Sequence, residues 1–198
     1  MRSPRLLKSR NHPITVAVTG GIGAGKSEAL EAFGRHGAAT ISSDEIVHRL
    51  LEGDVDVHAA LRERWGERVL GPDGADRAAI AEIVFRDGDE LAWLEALLHP
   101  RVVREYLAWR EQQTAPVAVT EVPLLYETGS DERFDAVVVV TAPPELRAER
   151  SDVRRDAREQ RLIPDEEKVQ RADFAYVNDG TLEELDAFVA GVLARLMR

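Results

Sequence analysis

Apolar positions along this chain follow two periods, and the periods alternate. Short runs rich in β-branched residues occupy 14–18, 38–41, 117–122, 136–141 and 172–178, and each predicts a strand. Residues 137–140 are four consecutive valines, the pattern of an interior strand buried on both faces. Between the runs the apolar spacing turns helical: Ala29, Leu30, Ala32 and Phe33, then Ile46, Val47, Leu50 and Leu51. A last helix carries Leu182, Leu185, Phe188, Val189, Val192, Leu193 and Leu196, opened by Thr181 and Glu184 as a capping box. From 55 to 113 the pattern is helical and free of strands. Stripes of Leu61, Trp65 and Val69 and of Ile80, Ile83 and Val84 flank a turn at Gly71-Pro-Asp-Gly74. His99-Pro100 interrupts the next stripe, which resumes at Val102. Strands alternating with helices predict an α/β fold on a parallel sheet.

The turn after the first strand adds chemistry. Gly20 to Ser27 reads Gly-Gly-Ile-Gly-Ala-Gly-Lys-Ser and fits G-x-x-x-x-G-K-[ST]. Glycines let backbone amides turn inward around phosphate oxygens. Lys26 then reaches the β- and γ-phosphates, Ser27 offers a hydroxyl to Mg²⁺, and the following helix aims its positive end at the anion. This stretch predicts a bound nucleoside triphosphate.

Three features carry open readings. Asp44 follows the second strand inside Ser42-Ser-Asp-Glu45, a capping-box pattern that places it in a helix's first turn. It suits the helix dipole there, and it also stands where a carboxylate orients an attacking hydroxyl or helps hold Mg²⁺. His99 either caps a helix end before Pro100 or contacts a substrate phosphate. Arginines 147, 150, 154, 155, 158 and 161 alternate with acids in a segment almost without apolar residues. Such a run is either a solvated face or a lid over the transferring phosphoryl group.

Composition narrows the class. The 198 residues are 44% hydrophobic and 31% charged, contain no cysteine, and suit one globular domain. Disulfides, thiolate metal sites and cysteine nucleophiles are thereby excluded. The net charge of −10 argues against nucleic-acid binding. No apolar run is long enough to span a membrane. Residues 1–13 carry Arg2, Arg5, Lys8 and Arg10 without an apolar core, so they read as a disordered basic tail rather than a signal peptide. A cytoplasmic protein is expected. No D-x-x-G or N-K-x-D pair supports a regulatory GTPase, and no L-S-G-G-Q stretch supports an ABC-type ATPase.

The remaining pattern resembles the dephospho-CoA kinases over about residues 14–196. The motifs are T-G-G-I-G-A-G-K-S at 19–27, Asp44, L-L-H-P at 97–100, E-V-P-L-L-Y-E at 121–127, E-E-K at 166–168 and A-D-F-A-Y-V-N-D-G at 172–180. The resemblance implies a three-layer P-loop kinase fold with a five-stranded parallel sheet, a helical acceptor-binding insertion and an arginine-rich lid. It implies a single kinase domain at 14–198, with its core at 14–54, 114–145 and 169–198, CoA-binding helices at 55–113 and a lid at 146–168. ATP and dephospho-CoA are the implied partners and Mg²⁺ the cofactor, in a monomer or weak homo-oligomer. Asp44, Lys26 and Arg150 would be catalytic. ATP would meet Gly21, Ile22, Gly23, Ala24, Gly25, Lys26, Ser27, Glu28, Asn178 and Gly180. The acceptor would meet Asp44, His99, Pro123, Leu124, Leu125 and Arg158, and Mg²⁺ would meet Ser27 and then Asp44. The chain departs from the family pattern at Ser42, at Glu28 and at Leu162. Other small-molecule kinases, or a non-catalytic nucleotide-binding protein, are the competing readings.

Overall fold

The computed structural model describes residues 12–150 and 162–198. Backbone contacts divide the chain into two compact units, residues 1–42 with 112–198, and residues 43–111.

The first unit is built on a five-stranded sheet. Its strands are β1 (Ile14–Thr19), β2 (Ala39–Ser42), β5 (Val117–Glu121), β6 (Ala136–Thr141) and β7 (Phe174–Val177). They lie in the order β2-β5-β1-β6-β7, and every neighbouring pair is parallel. All five predicted strands are present, with ends displaced by no more than two residues. Alternation decides which side chains face which layer. Val16 and Val18, Val117 and Val119, and Val138 and Val140 pack with Ala29, Ala32 and Phe33 of α1 (Lys26–Arg35). The same cluster takes Leu185, Val189, Val192 and Leu193 from α8 (Leu182–Leu196). The expected capping box opens α8, with the Thr181 hydroxyl and the Glu184 carboxylate exchanging bonds with each other's backbone. Helix α1 runs through Gly34 and stops at Gly37, whose φ of 85° closes a Schellman turn; Ala38 N donates to Phe33 O.

An exposed ionic cluster joins these two helices. Asp186 of α8 accepts from Arg35 Nε at 3.1 Å and Nη2 at 2.9 Å, and His36 Nε2 lies 2.8 Å from its other oxygen. His36 first, then Arg35, holds the Asp186 carboxyl below its ordinary range. A carboxylate with a lowered folded pKa adds stability above its unfolded value of about 3.9 and loses it as the pH falls through the folded value. Asp186→Asn should therefore melt below wild type at pH 7, and the gap should close as the pH drops below about 4. Thermal melts across a pH series check this; coincident melts at pH 7 would show that the cluster adds nothing.

The second unit holds α2 (Ser43–Gly53), α3 (Val55–Trp65), α4 (Arg77–Val84) and α5 (Gly88–Glu111). It departs from the sequence reading twice. The stretch expected to be strand-free contains a short antiparallel hairpin, β3 (Leu70–Gly71) with β4 (Gly74–Ala75), built on the anticipated turn. Helix α5 also continues through Pro100 for 24 residues. Proline forfeits a helix hydrogen bond, but Leu94, Leu98 and Tyr106 are buried on either side of it. Continuous burial outweighs the local break. Asp54 and Asp76 cap α3 and α4 with their carboxylates. Glu90 of α5 accepts from Arg64 and from Trp65 Nε1, while Trp65 meets Trp93 edge-on at 5.0 Å.

Among the described residues, no helix is long and apolar enough to cross a membrane.

Candidate active site

Successive strands leave β1 in opposite directions, β2 beyond β5 on one side and β6 on the other. Ligands of open α/β sheets bind at such a switch point, beyond the carboxyl ends of the strands. Gly20 to Ser27 occupies that position, between β1 and α1.

Crowding, by backbone at one and by a side chain at the other, explains two of its glycines. A Cβ on Gly20, at φ 148°, would land on the Val140 carbonyl oxygen of β6; one on Gly25, at φ 93°, would land on the Asn178 amide. Lys26 Nζ donates to Gly21 O at 3.0 Å, so the ammonium folds back over the loop it follows. Ala24 O accepts from Asn178 Nδ2 at 3.0 Å, and Asn178 N donates to Thr141 O at 2.7 Å. Buried Asn178 thus ties the loop to the edge formed by β6 and β7. Gly180 is exposed two residues on. Glu28 is exposed in the first turn of α1, where its charge suits the dipole.

The Ser27 hydroxyl donates to Glu121 Oε2 at 3.3 Å. Glu121 ends β5 beside Ser42 of β2 and is only 7% exposed. On the other flank is α6 (Pro144–Arg150), begun by Pro144, whose fixed φ suits a helix's first turn. Its Arg147 donates through Nε to Ile22 O at 3.0 Å and through Nη1 to Asp165 Oδ2 at 3.1 Å. Arg150 donates to Asn178 O at 3.2 Å. Arg154, Arg155, Arg158 and Arg161, and with them residues 151–161 of the expected lid, lie outside the described residues.

The expected acceptor residues fall in both units. Asp44 is exposed in the first turn of α2. His99 is exposed within α5; because that helix does not end at Pro100, His99 caps no helix end. After β5, Pro123 and Leu124 are half-buried and Leu125 is fully buried, so Leu125 presents backbone rather than side chain. Pro123 O accepts from the Thr19 hydroxyl at 3.4 Å, which joins this turn to the end of β1.

Two groups at the loop carry no individual role in the sequence reading: Glu121, and Arg147, which stands there only as one of the six arginines of the expected lid. Glu121 stood in the E-V-P-L-L-Y-E motif, and its position at a strand's carboxyl end was the available signal. Arg147 was one of six arginines in a mixed-charge run, and nothing local marked it.

A lysine, a hydroxyl and two arginines gathered with backbone amides at the sheet's carboxyl edge suit a polyphosphate. Fold and site together define a P-loop small-molecule kinase. A family model for dephospho-CoA kinase matches residues 14–184. The dephospho-CoA kinase of Thermobifida fusca is 38% identical over 196 residues, covering 93% of this chain and 97% of that one. A crystal structure of a Thermus thermophilus protein superposes with a TM-score of 0.81 at 35% identity, over 94% of this chain and 99% of that chain. Dephospho-CoA kinase from Campylobacter jejuni gives 0.67 at 25% identity, over 92% and 96%. The chain belongs to the dephospho-CoA kinase family.

Proposed function

We propose that this protein transfers the γ-phosphoryl group of ATP to the ribose 3′-hydroxyl of dephospho-CoA, releasing ADP and coenzyme A. The observation that carries the reading is the P-loop itself, with Lys26 folded over Gly21 and Ser27 held against buried Glu121 at the carboxyl edge of the sheet. The chain's match along its length to dephospho-CoA kinases supplies the acceptor.

In this reading the amides of residues 21–27 and the Lys26 ammonium bind the β- and γ-phosphates. Arg150 adds positive charge at their edge, and Asn178 and Gly180 border the adenine. Asp44 accepts a hydrogen bond from the 3′-hydroxyl, orients it for in-line attack and takes its proton. His99, Pro123, Leu124, Leu125 and Arg158 contact dephospho-CoA, with residues 55–113 forming most of the acceptor region.

Mg²⁺ fits the donors present. The Ser27 hydroxyl and the Glu121 carboxylate are hard oxygen ligands within hydrogen-bond reach of each other. Mg²⁺ takes few protein ligands and fills its shell with phosphate and water. The described residues hold no cluster of three acidic or histidine side chains, which this mode of binding does not need. Ser27 and Glu121 would hold the ion, with Asp44 as a further oxygen ligand. When bound, Mg²⁺ neutralises charge on the phosphoryl oxygens.

An acceptor panel tests the reading. With ATP and Mg²⁺, dephospho-CoA should drive ADP release well above the rate with shikimate, gluconate or nucleoside monophosphates. Preference for any of those would place the chain's activity elsewhere among the P-loop kinases.

A further inference from the structure

Helix α7 (Asp165–Arg171) carries a lysine where a solvent-facing helix would not need one. Lys168 is fully buried, and its Nζ lies 2.9 Å from Glu127 Oε1. That same oxygen accepts from Ile163 N at 2.9 Å. Glu127 Oε2 is buried and has no hydrogen-bond partner among the described residues, and Lys168 Nζ makes no hydrogen bond there of good geometry. A buried ion pair with unmet hydrogen-bonding capacity is poor value as a brace, because desolvation costs several kcal/mol per ion. An apolar pair of similar volume is often as stable or more so.

The pair's position suggests its use. Glu127 ends the turn that begins at Pro123, the turn already assigned to the acceptor. Arg171, one helical turn beyond Lys168, stacks over the Tyr126 ring at 4.1 Å and reaches Asp131 at 3.6 Å. At the other end of α7, Asp165 holds Arg147, and Arg147 holds the P-loop carbonyl of Ile22. Helix α7 is therefore fastened to the acceptor turn at one end and to the phosphate loop at the other. We propose that Glu127 and Lys168 are positioning residues, which set the 123–127 turn against the P-loop through α7. Neither touches the reacting atoms. This rests on the assignment of that turn to dephospho-CoA. A misplacement of about 1 Å between reactants costs on the order of 100-fold in rate.

The test is the double variant Lys168→Met/Glu127→Gln, which removes both charges and keeps an amide oxygen for Ile163 N. It should melt within about 5 °C of wild type, since the lost pair is close to neutral for stability. The KM for ATP should stay within about threefold, while kcat/KM for dephospho-CoA falls about 10- to 100-fold. Two results would overturn the proposal: kcat/KM for dephospho-CoA within threefold of wild type, or an equal loss for both substrates. If the double variant folds poorly, Glu127→Gln alone is read by the same comparison. No wild-type turnover of dephospho-CoA would overturn the acceptor assignment and the pair's role with it. Wild-type turnover with unchanged variants would overturn the pair's role alone.

Discussion

Asp44→Asn should lower kcat by about two to four orders of magnitude and leave the KM for ATP within about threefold. The amide keeps the size of the side chain but cannot accept the hydroxyl proton. Asp44 is exposed in the first turn of α2, so the folded protein depends on it little. A first-turn acid contributes about 0.3–1 kcal/mol through the helix dipole. Stability and rate thus separate the two roles open to this residue. A purely helical role predicts a melting temperature lower by a few degrees and an unchanged kcat. The catalytic role predicts the same small thermal shift with turnover nearly lost. Steady-state kinetics alongside thermal melts decide between them.

Lys26→Met should reduce kcat/KM for ATP by about 10²- to 10³-fold or more. Within the loop the ammonium donates to Gly21 O. Its replacement should leave the loop's fold largely intact, because Asn178 and the strands hold that fold. What would disappear, in the proposed reading, is the positive charge that meets the phosphoryl oxygens where charge develops. The variant should still fold, and it should bind ATP weakly. Turnover within tenfold of wild type would mean that Lys26 does not stabilise the transferring group.

The strands and the phosphate loop were legible because their signals are local. Val137 to Val140 announce a buried strand wherever the chain places them, and the glycines, lysine and serine of the loop lie within the eight consecutive residues 20–27. Features set by distant contacts were not legible. Pro100 is a helix breaker by local rules, yet buried Leu98 and Tyr106 carry α5 past it. The β3–β4 hairpin has two residues per strand, too short to show a period. Glu121 becomes a site residue only through the register that sets it beside Ser42 and through Ser27, 94 positions away in the chain. Lys168 looks like one more charge on a polar helix until Glu127, 41 positions earlier, is found against it.

Product analysis tests the central claim most directly. The protein is incubated with Mg²⁺, dephospho-CoA and ATP labelled at the γ-phosphoryl, and the products are separated and identified by mass and phosphate position. The expected result is one ADP for each coenzyme A formed, with the label on the ribose 3′-oxygen. ADP release without labelled coenzyme A, or label on another acceptor atom, would contradict the account.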